Sequence, residues 1–185
     1  MPVTQIDDKA ALVVIDLQVA TMGMPTVPIP TSEVLKRSVA LADAFRNHGR
    51  PVIWVNVAGG QPGRKANADG GGGGLPDNWT DLPEELGVQE SDLTFTKYAM
   101  GAFHDERFET LLKGNGVTQI VLTGITTSLG VEGTARAAYD KGYNVVVVSD
   151  AATDMVESAH DNSLNAILPN LAEVATTDEI VGALD

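Results

Sequence analysis

The chain has 185 residues, of which 43% are hydrophobic and none is cysteine, and its 25 acidic and 12 basic side chains give a net charge of −13. This length fits one domain, so we predict that residues 1–185 form a single unit. The absence of cysteine excludes disulfides, thiolate zinc sites and thiol catalysis. The acidic balance argues against nucleic acid and anionic membrane surfaces as partners, because both need a basic binding surface.

The chain shows no signal for membrane insertion or secretion. No apolar run reaches 18 residues. The first ten residues, MPVTQIDDKA, lack the basic region followed by an apolar one that marks a secretory signal. We therefore expect a cytoplasmic protein.

Short apolar runs alternate with helical patterns along the chain. The apolar runs predict strands over residues 11–16, 51–57, 92–97, 117–124, 144–149 and 171–175. Spacing near 3.6 and capping residues predict helices over residues 31–48, 105–113, 127–141, 157–168 and 178–184. This alternation predicts an α/β fold with a doubly wound parallel sheet, whose ligands bind beyond the carboxyl ends of the strands.

One long irregular stretch, residues 58–81, interrupts the alternation. It contains five consecutive glycines, Gly70 to Gly74, with Pro62, Pro76 and Trp79 around them. A loop of this length inside a compact domain is usually a functional lid or a mobile segment. We expect it to be mobile or to shape the mouth of a cleft.

Three predicted strand ends bring polar groups to the same edge of the sheet. Asp16 follows the first strand, Lys97 ends the third, and the turn GITTSLG at residues 124–130 follows the fourth. A lone Asp at a strand end is more often a helix cap, and a lone Lys is usually solvated. Their convergence with the turn, whose following helix presents free N–H groups, favours a functional site instead.

Four separated motifs resemble the isochorismatase-like hydrolase family, and we identify the chain as a member of it. The motifs are LVVIDLQ (12–18), TKYAMGAF (96–103), GITTSLGVEGTARAAYDKGYNVVVVSDA (124–151) and TTDEI (176–180). The resemblance implies a three-layer α/β/α fold, Rossmann-like, with a six-stranded parallel sheet between helices. It also implies a homo-oligomer, a dimer or larger, that binds a small-molecule substrate and needs no cofactor and no metal.

The resemblance further assigns roles to individual residues. Asp16, Lys97 and Gly130 occupy catalytic positions, and Asp16 and Lys97 are expected to face each other across adjacent strands. A cis peptide bond between Ile125 and Thr126 is expected to aim the N–H groups of Thr126 and Gly130 at one point, as an oxyanion hole. The residues implied in substrate binding are Gln18, Ile125, Thr126, Thr127 and Ser128.

Gly130 marks the main departure from the amidases of this family, which carry a nucleophilic cysteine at that position. Thr127 and Ser128 carry the nearest hydroxyls, but a nucleophile so early in the turn is expected to point elsewhere. The cluster of an Asp and several His that binds metal in nicotinamidase-like relatives is also missing after the second strand. The three histidines, His48, His104 and His160, are scattered, and we expect them at the surface.

A glycine at this position resembles true isochorismatases, which cleave a vinyl ether with an acid. This resemblance implies hydrolysis of isochorismate to pyruvate and a dihydroxybenzoate precursor, with Asp16 as the proton donor. Lys97 would hold Asp16 and a substrate carboxylate, Gly130 would leave room for the ring or the attacking water, and Arg64 and Lys65 are further candidate cations.

Other functions stay open at this point. The chain could be a binding protein that has lost its nucleophile, or a cysteine-free hydrolase of another substrate. Nucleotide binding has weaker support, because no G-x-G-x-x-G or G-K-[ST] motif occurs.

Overall fold

Six parallel strands form the single sheet of the computed structural model, which describes residues 3–66 and 75–184. The order across the sheet is β3-β2-β1-β4-β5-β6. The strands are β1 (Ala10–Ile15), β2 (Val52–Val57), β3 (Leu93–Lys97), β4 (Gln119–Ile125), β5 (Asn144–Thr153) and β6 (Glu173–Ala175). The doubly wound, six-stranded α/β fold predicted from the sequence is thereby confirmed.

Helices cover both faces of this sheet. They are α1 (Val19–Met22), α2 (Thr31–Asn47), α3 (Glu106–Gly114), α4 (Glu132–Asp140), α5 (Glu157–Asn162) and α6 (Thr177–Leu184). One apolar cluster joins α3 and α4 to one face, and a second joins α2 and α6 to the other. Every residue of β1 is buried, as expected for a central parallel strand covered on two sides. None of the helices in the described ranges is long and apolar enough to span a bilayer.

The largest difference from the predicted elements lies in β5, which continues to Thr153 instead of ending at Ser149. Its register against β4 shifts between Leu122 and Gly124, after which Ala152 and Thr153 pair with Gly124 and Ile125. The extension contains an aspartate and two alanines, so local apolar pattern does not predict it, and pairing with β4 creates it.

Two predicted helices are also more irregular than expected. The helix predicted over residues 127–141 begins with a π-helical turn, Thr127–Val131, before α4. The helix predicted over residues 157–168 divides into α5, a π-helical turn (Ser163–Ile167) and a 3₁₀ turn (Leu168–Asn170) that contains Pro169. Short 3₁₀ turns at Glu84–Leu86 and Ala102–His104 were not predicted.

The strand order places a topological switch point between β1 and β4. The chain builds β2 and β3 outward on one side of β1, then crosses to β4 and continues outward through β5 and β6. Open α/β sheets bind ligands in the crevice beyond the strand ends at such a point. Asp16 directly follows β1, and the turn at residues 124–130 includes and follows the end of β4, so both lie at this crevice.

Candidate active site

An ion pair between Asp16 and Lys97 lies at the carboxyl edge of the sheet. The Lys97 Nζ is 2.8 Å from the Asp16 Oδ2, and the residues are 7% and 2% exposed. The prediction that the two residues lie on adjacent strands was wrong, because β2 lies between β1 and β3. The long lysine side chain bridges that gap, which a shorter side chain would leave open.

The backbone at Asp16 turns sharply at the end of β1. Its φ is +54°, in the left-handed region that L residues other than Asn and Asp rarely adopt. The Asp16 N–H donates to the Val55 carbonyl at 2.8 Å, and the Asp16 carbonyl accepts from the Thr21 hydroxyl at 2.6 Å. Both backbone groups are therefore fixed, and the carboxylate is held over the crevice.

The Lys97 ammonium uses all of its hydrogen-bond capacity inside the protein. Besides Asp16, it donates to the carbonyls of Ala99 at 3.0 Å and Met100 at 2.9 Å. An ammonium has three donors, so none is left for a substrate carboxylate. Lys97 therefore holds Asp16 and the segment after β3 in place. This geometry does not support the expectation that Lys97 also binds a substrate carboxylate.

The Asp16 carboxyl is suited to donate a proton. Burial raises its pKa to about 6, against the opposing effect of the Lys97 charge and hydrogen bond. Its Oδ1 is buried and has no hydrogen-bond partner among the described residues. One oxygen is thus held by Lys97 and the other is unpaired among the described residues, and the residue lines a cavity at this edge of the sheet.

Two glycines bring the β4 turn against β1. Gly124 has φ +117°, and a Cβ there would lie 2.0 Å from the Ile15 carbonyl oxygen, so no side chain can be accommodated. A Cβ on Gly130 would lie 3.0 Å from the Ile15 Cγ2 and 3.3 Å from the Asp16 Oδ2. Gly130 therefore faces the carboxylate directly. The expected cis peptide bond between Ile125 and Thr126 is present.

Three residues implied in substrate binding are engaged in other contacts. The fully buried Gln18 binds Val57 through its Nε2 (3.0 Å to the carbonyl) and Oε1 (2.7 Å from the N–H), and its Nε2 also donates to the Trp79 carbonyl. Gln18 thus ties the end of β2 to the loop after it. The Thr127 hydroxyl lies 2.9 Å from the His160 Nδ1. Ser128 donates through its N–H and its hydroxyl to the carboxylate of Asp154, the residue after β5. Ile125 and Thr126, in contrast, line the cavity above Asp16.

The structure corrects one expectation about the histidines. His160 is not at the surface: it is 4% exposed, its Nδ1 contacts the Thr127 hydroxyl, and burial lowers the pKa of its imidazole. His48 and His104 are exposed as expected. His104 nevertheless lines the cavity, a position that its exposure alone did not indicate.

The cavity above Asp16, called the site cavity below, has a volume of about 720 Å³. Several of its lining residues were not predicted as site residues, namely Met24, Met100, Phe103, His104 and Leu129. Met100 and Phe103 lie inside the TKYAMGAF motif, and Leu129 lies inside the turn. Their positions in these motifs were therefore the sequence feature that could have indicated them as lining residues.

The loop predicted over residues 58–81 contributes to the mouth of the site cavity. Its described part supplies Gly59, Gly60, Gln61 and Lys65 to the lining, whereas Arg64 is not part of the lining. The five glycines fall in residues 67–74, which lie outside the described residues.

This fold and site define a class: a Rossmann-like α/β protein with an aspartate–lysine pair at its switch point. Residues 10–179 match the profile of the isochorismatase domain. The chain is 38% identical over 179 residues to the uncharacterised isochorismatase family protein YecD of Escherichia coli O157:H7, covering 94% of this chain and 95% of YecD. It is 37% identical to the uncharacterised isochorismatase family protein YwoC of Bacillus subtilis (strain 168), covering 94% and 93%.

A solved structure gives the same result. An isochorismatase family protein from Burkholderia thailandensis superposes with a TM-score of 0.90 at 39% identity, covering 99% of this chain and 98% of that one. The chain belongs to the isochorismatase family of hydrolases.

Proposed function

We propose that this protein hydrolyses a vinyl ether of a small carboxylic acid by acid catalysis, without a covalent intermediate. The observation that carries the proposal is the buried Asp16 carboxyl, which lines the site cavity, is held by Lys97 at its Oδ2 and has an Oδ1 without a hydrogen-bond partner among the described residues. A pKa raised to about 6 makes this group a proton donor near neutral pH.

The proposed reaction begins with proton transfer from Asp16 to the terminal CH₂ carbon of the vinyl ether. The ether-bearing carbon becomes an oxocarbenium ion, and water adds to it. The resulting hemiketal loses the alcohol as its C–O bond breaks, the departing oxygen gains a proton, and a ketone remains. With isochorismate, the products are pyruvate and a dihydroxybenzoate precursor. The proton released by the added water restores Asp16, so the cycle consumes only water.

Lys97 and Gly130 support this chemistry in different ways. The Lys97 ammonium stabilises the carboxylate that Asp16 becomes after it gives up its proton. Gly130 leaves the space beside the Asp16 Oδ2 free of a side chain. Thr127 and Ser128 do not line the site cavity, although their neighbours Thr126 and Leu129 do, which argues against either hydroxyl replacing a cysteine nucleophile there.

Pyruvate release tests the proposal. Purified protein supplied with isochorismate, or with a simple 2-alkoxyacrylate, should release pyruvate above the uncatalysed rate in a lactate dehydrogenase assay. Asp16→Asn should lower kcat/KM by about 10³-fold, because it removes the proton donor. The matched control is Asp140→Asn, an exposed aspartate at the end of α4, which should keep full activity. Pyruvate release that survives Asp16→Asn would sink the proposed role.

A second candidate is a binding protein without catalytic activity, and the glycine at the position of the family's nucleophile favours it. In that case no vinyl ether or amide is turned over, while a small carboxylate still raises the melting temperature. The retained Asp16–Lys97 pair argues for catalysis, because a binding site has no need of a buried unpaired carboxyl oxygen.

A further inference from the structure

The site cavity holds few positive charges for an anionic substrate. All twelve lysines and arginines of the chain lie in residues 3–66 and 75–184, and only Lys65 and Lys97 line the cavity. The three donors of Lys97 are used by Asp16 and two backbone carbonyls. Among the described residues, the exposed Lys65 is therefore the one lysine or arginine that lines the cavity and is free to bind a carboxylate there.

A neighbouring depression of about 560 Å³ adds no net positive charge. It shares Gln61, Lys97 and His104, among others, with the site cavity and continues to Arg107. The Arg107 Nε lies 3.0 Å from both carboxylate oxygens of Asp105, so the guanidinium is already paired. Glu106 also lines this depression. An anionic group placed there would meet two carboxylates, the paired Arg107 and Lys97, whose donors are already used.

Much of the wall around the cavity is apolar. Met24, Phe103, Ile125 and Leu129 line it, and Met100 joins them from the segment after β3. Met100 and Leu129 are about half exposed, at 55% and 48%, which is unusual for large apolar side chains unless they meet a ligand or a partner. Methionine side chains adapt their shape to apolar ligands. This wall suits an apolar group on the alcohol side of the ether.

We propose that the site cavity prefers a vinyl ether with a single carboxylate, bound by Lys65, and an apolar alcohol part placed against Met100 and Leu129. This inference rests on the proposed function, since it names the substrate class for the same site. A dicarboxylate such as isochorismate would bring a second negative charge into a cavity that already contains Asp16. With no free cation to pair it, that charge would lose its hydration without compensation.

The corresponding reaction is CH₂=C(OR)COO⁻ plus water giving pyruvate plus ROH, where R is apolar. The proton from Asp16 adds to the CH₂ carbon, the oxygen of water forms the new C–O bond, and the bond to OR breaks as the alcohol leaves. No oxidant, reductant or other co-reactant is required.

Binding of unreactive analogues tests this preference separately from turnover. The matched pair is 2-benzyloxypropanoate and 2-(4-carboxybenzyloxy)propanoate, which lack the vinyl group and differ by one carboxylate. In isothermal titration calorimetry at neutral pH, the monocarboxylate should bind at least about tenfold more tightly. Equal or tighter binding of the dicarboxylate, or no binding of either compound, would overturn the inference.

Two variants test the role of Lys65. Lys65→Ala should weaken binding of 2-benzyloxypropanoate by about fivefold or more, because it removes the free cation. Arg64→Ala is the matched control, an exposed cation next in sequence that does not line the cavity, and it should bind normally. Equal effects of the two substitutions, or none from either, would contradict the role of Lys65.

Turnover separates the inference from the function on which it rests. We expect 2-benzyloxyacrylate to have a kcat/KM at least about tenfold above that of isochorismate. A higher value for isochorismate would overturn the preference while leaving vinyl ether hydrolysis intact. If the monocarboxylate analogue binds selectively but neither vinyl ether releases pyruvate, the proposed catalytic function is contradicted while the proposed ligand class is supported.

Discussion

Two opposing effects set the protonation state of Asp16. Burial favours the neutral carboxylic acid, and the Lys97 ammonium favours the carboxylate. Burial prevails, so the pKa rises to about 6 even with a cation 2.8 Å away. The result is a group that can give a proton to a substrate and whose anion is stabilised once it has done so.

This pKa predicts the pH dependence of catalysis. A general acid must be protonated to act, so kcat/KM should be highest below pH 6 and fall about tenfold per pH unit well above it. The measurement is the pH profile of pyruvate release with 2-benzyloxyacrylate, whose own carboxylate stays ionised over this range. The charged and titratable groups that share the cavity are Lys65, Lys97 and His104.

His104→Gln provides the control for this profile, because it removes the imidazole that lines the cavity. The variant should keep the inflection near pH 6. A profile that stays flat up to pH 8, or that loses its inflection in His104→Gln, would assign the proton to another group.

At the scale of elements, the turn between β4 and α4 is hydrogen-bonded to the residue that follows the extension of β5. Asp154, which follows β5 directly, is 4% exposed, and its Oδ2 accepts from the Ser128 N–H at 2.8 Å and the Ser128 hydroxyl at 2.7 Å. Its Oδ1 accepts from the Met155 N–H at 2.8 Å. One carboxylate thus fixes the residue two positions before Gly130.

Removal of this carboxylate should loosen the turn. Asp154→Ala leaves the Ser128 and Met155 N–H groups without their acceptor, which should lower the free energy of unfolding by about 1–3 kcal/mol. Urea unfolding followed by circular dichroism measures the change. Asp161→Ala, an exposed residue of α5, is the control and should change stability by less than about 0.5 kcal/mol. An unchanged unfolding free energy in Asp154→Ala would show that the turn does not depend on β5.

At the scale of the whole molecule, large apolar side chains remain exposed on the same edge as the site. Met155 and Val156 follow β5 and are 52% and 55% exposed, and Met100 and Leu129 border the site cavity with similar exposure. A chain with a net charge of −13 keeps most of its surface polar, so these residues stand out. We propose that Met155 and Val156, which do not line the site cavity, contribute to contacts between copies of this chain in a homodimer or larger oligomer.

Sedimentation velocity tests this proposal. The expected mass is at least twice the 19.4 kDa of one chain. Val156→Asp should shift the population toward the monomer, because it places a charge in an apolar contact, while Val181→Asp, on α6, is the control. A mass of one chain at micromolar concentration would contradict the oligomer.

The sequence alone was sufficient for the order of the six strands and of all the helices except the short α1, and for two of the groups that meet at the site. Buried parallel strands read as continuous apolar runs, and helices repeat near 3.6 residues, so both patterns are local. Asp16 and Lys97 were found because polar residues that directly follow such runs must emerge at the carboxyl edge of the sheet. The motifs around them gave the family.

Only the tertiary structure decided how these groups are used. The strand order, which places β2 between Asp16 and Lys97, and the extension of β5 depend on pairing between distant segments. The burial of His160 also depends on contacts between distant segments. The same is true of the Lys97 ammonium, whose three donors are used by Asp16 and two backbone carbonyls. Local pattern cannot report these features, because burial and hydrogen-bond partners are properties of the folded chain. The sequence predicted an acid and a lysine at one edge, and tertiary contacts paired one carboxyl oxygen of Asp16 with Lys97 and left the other without a partner among the described residues.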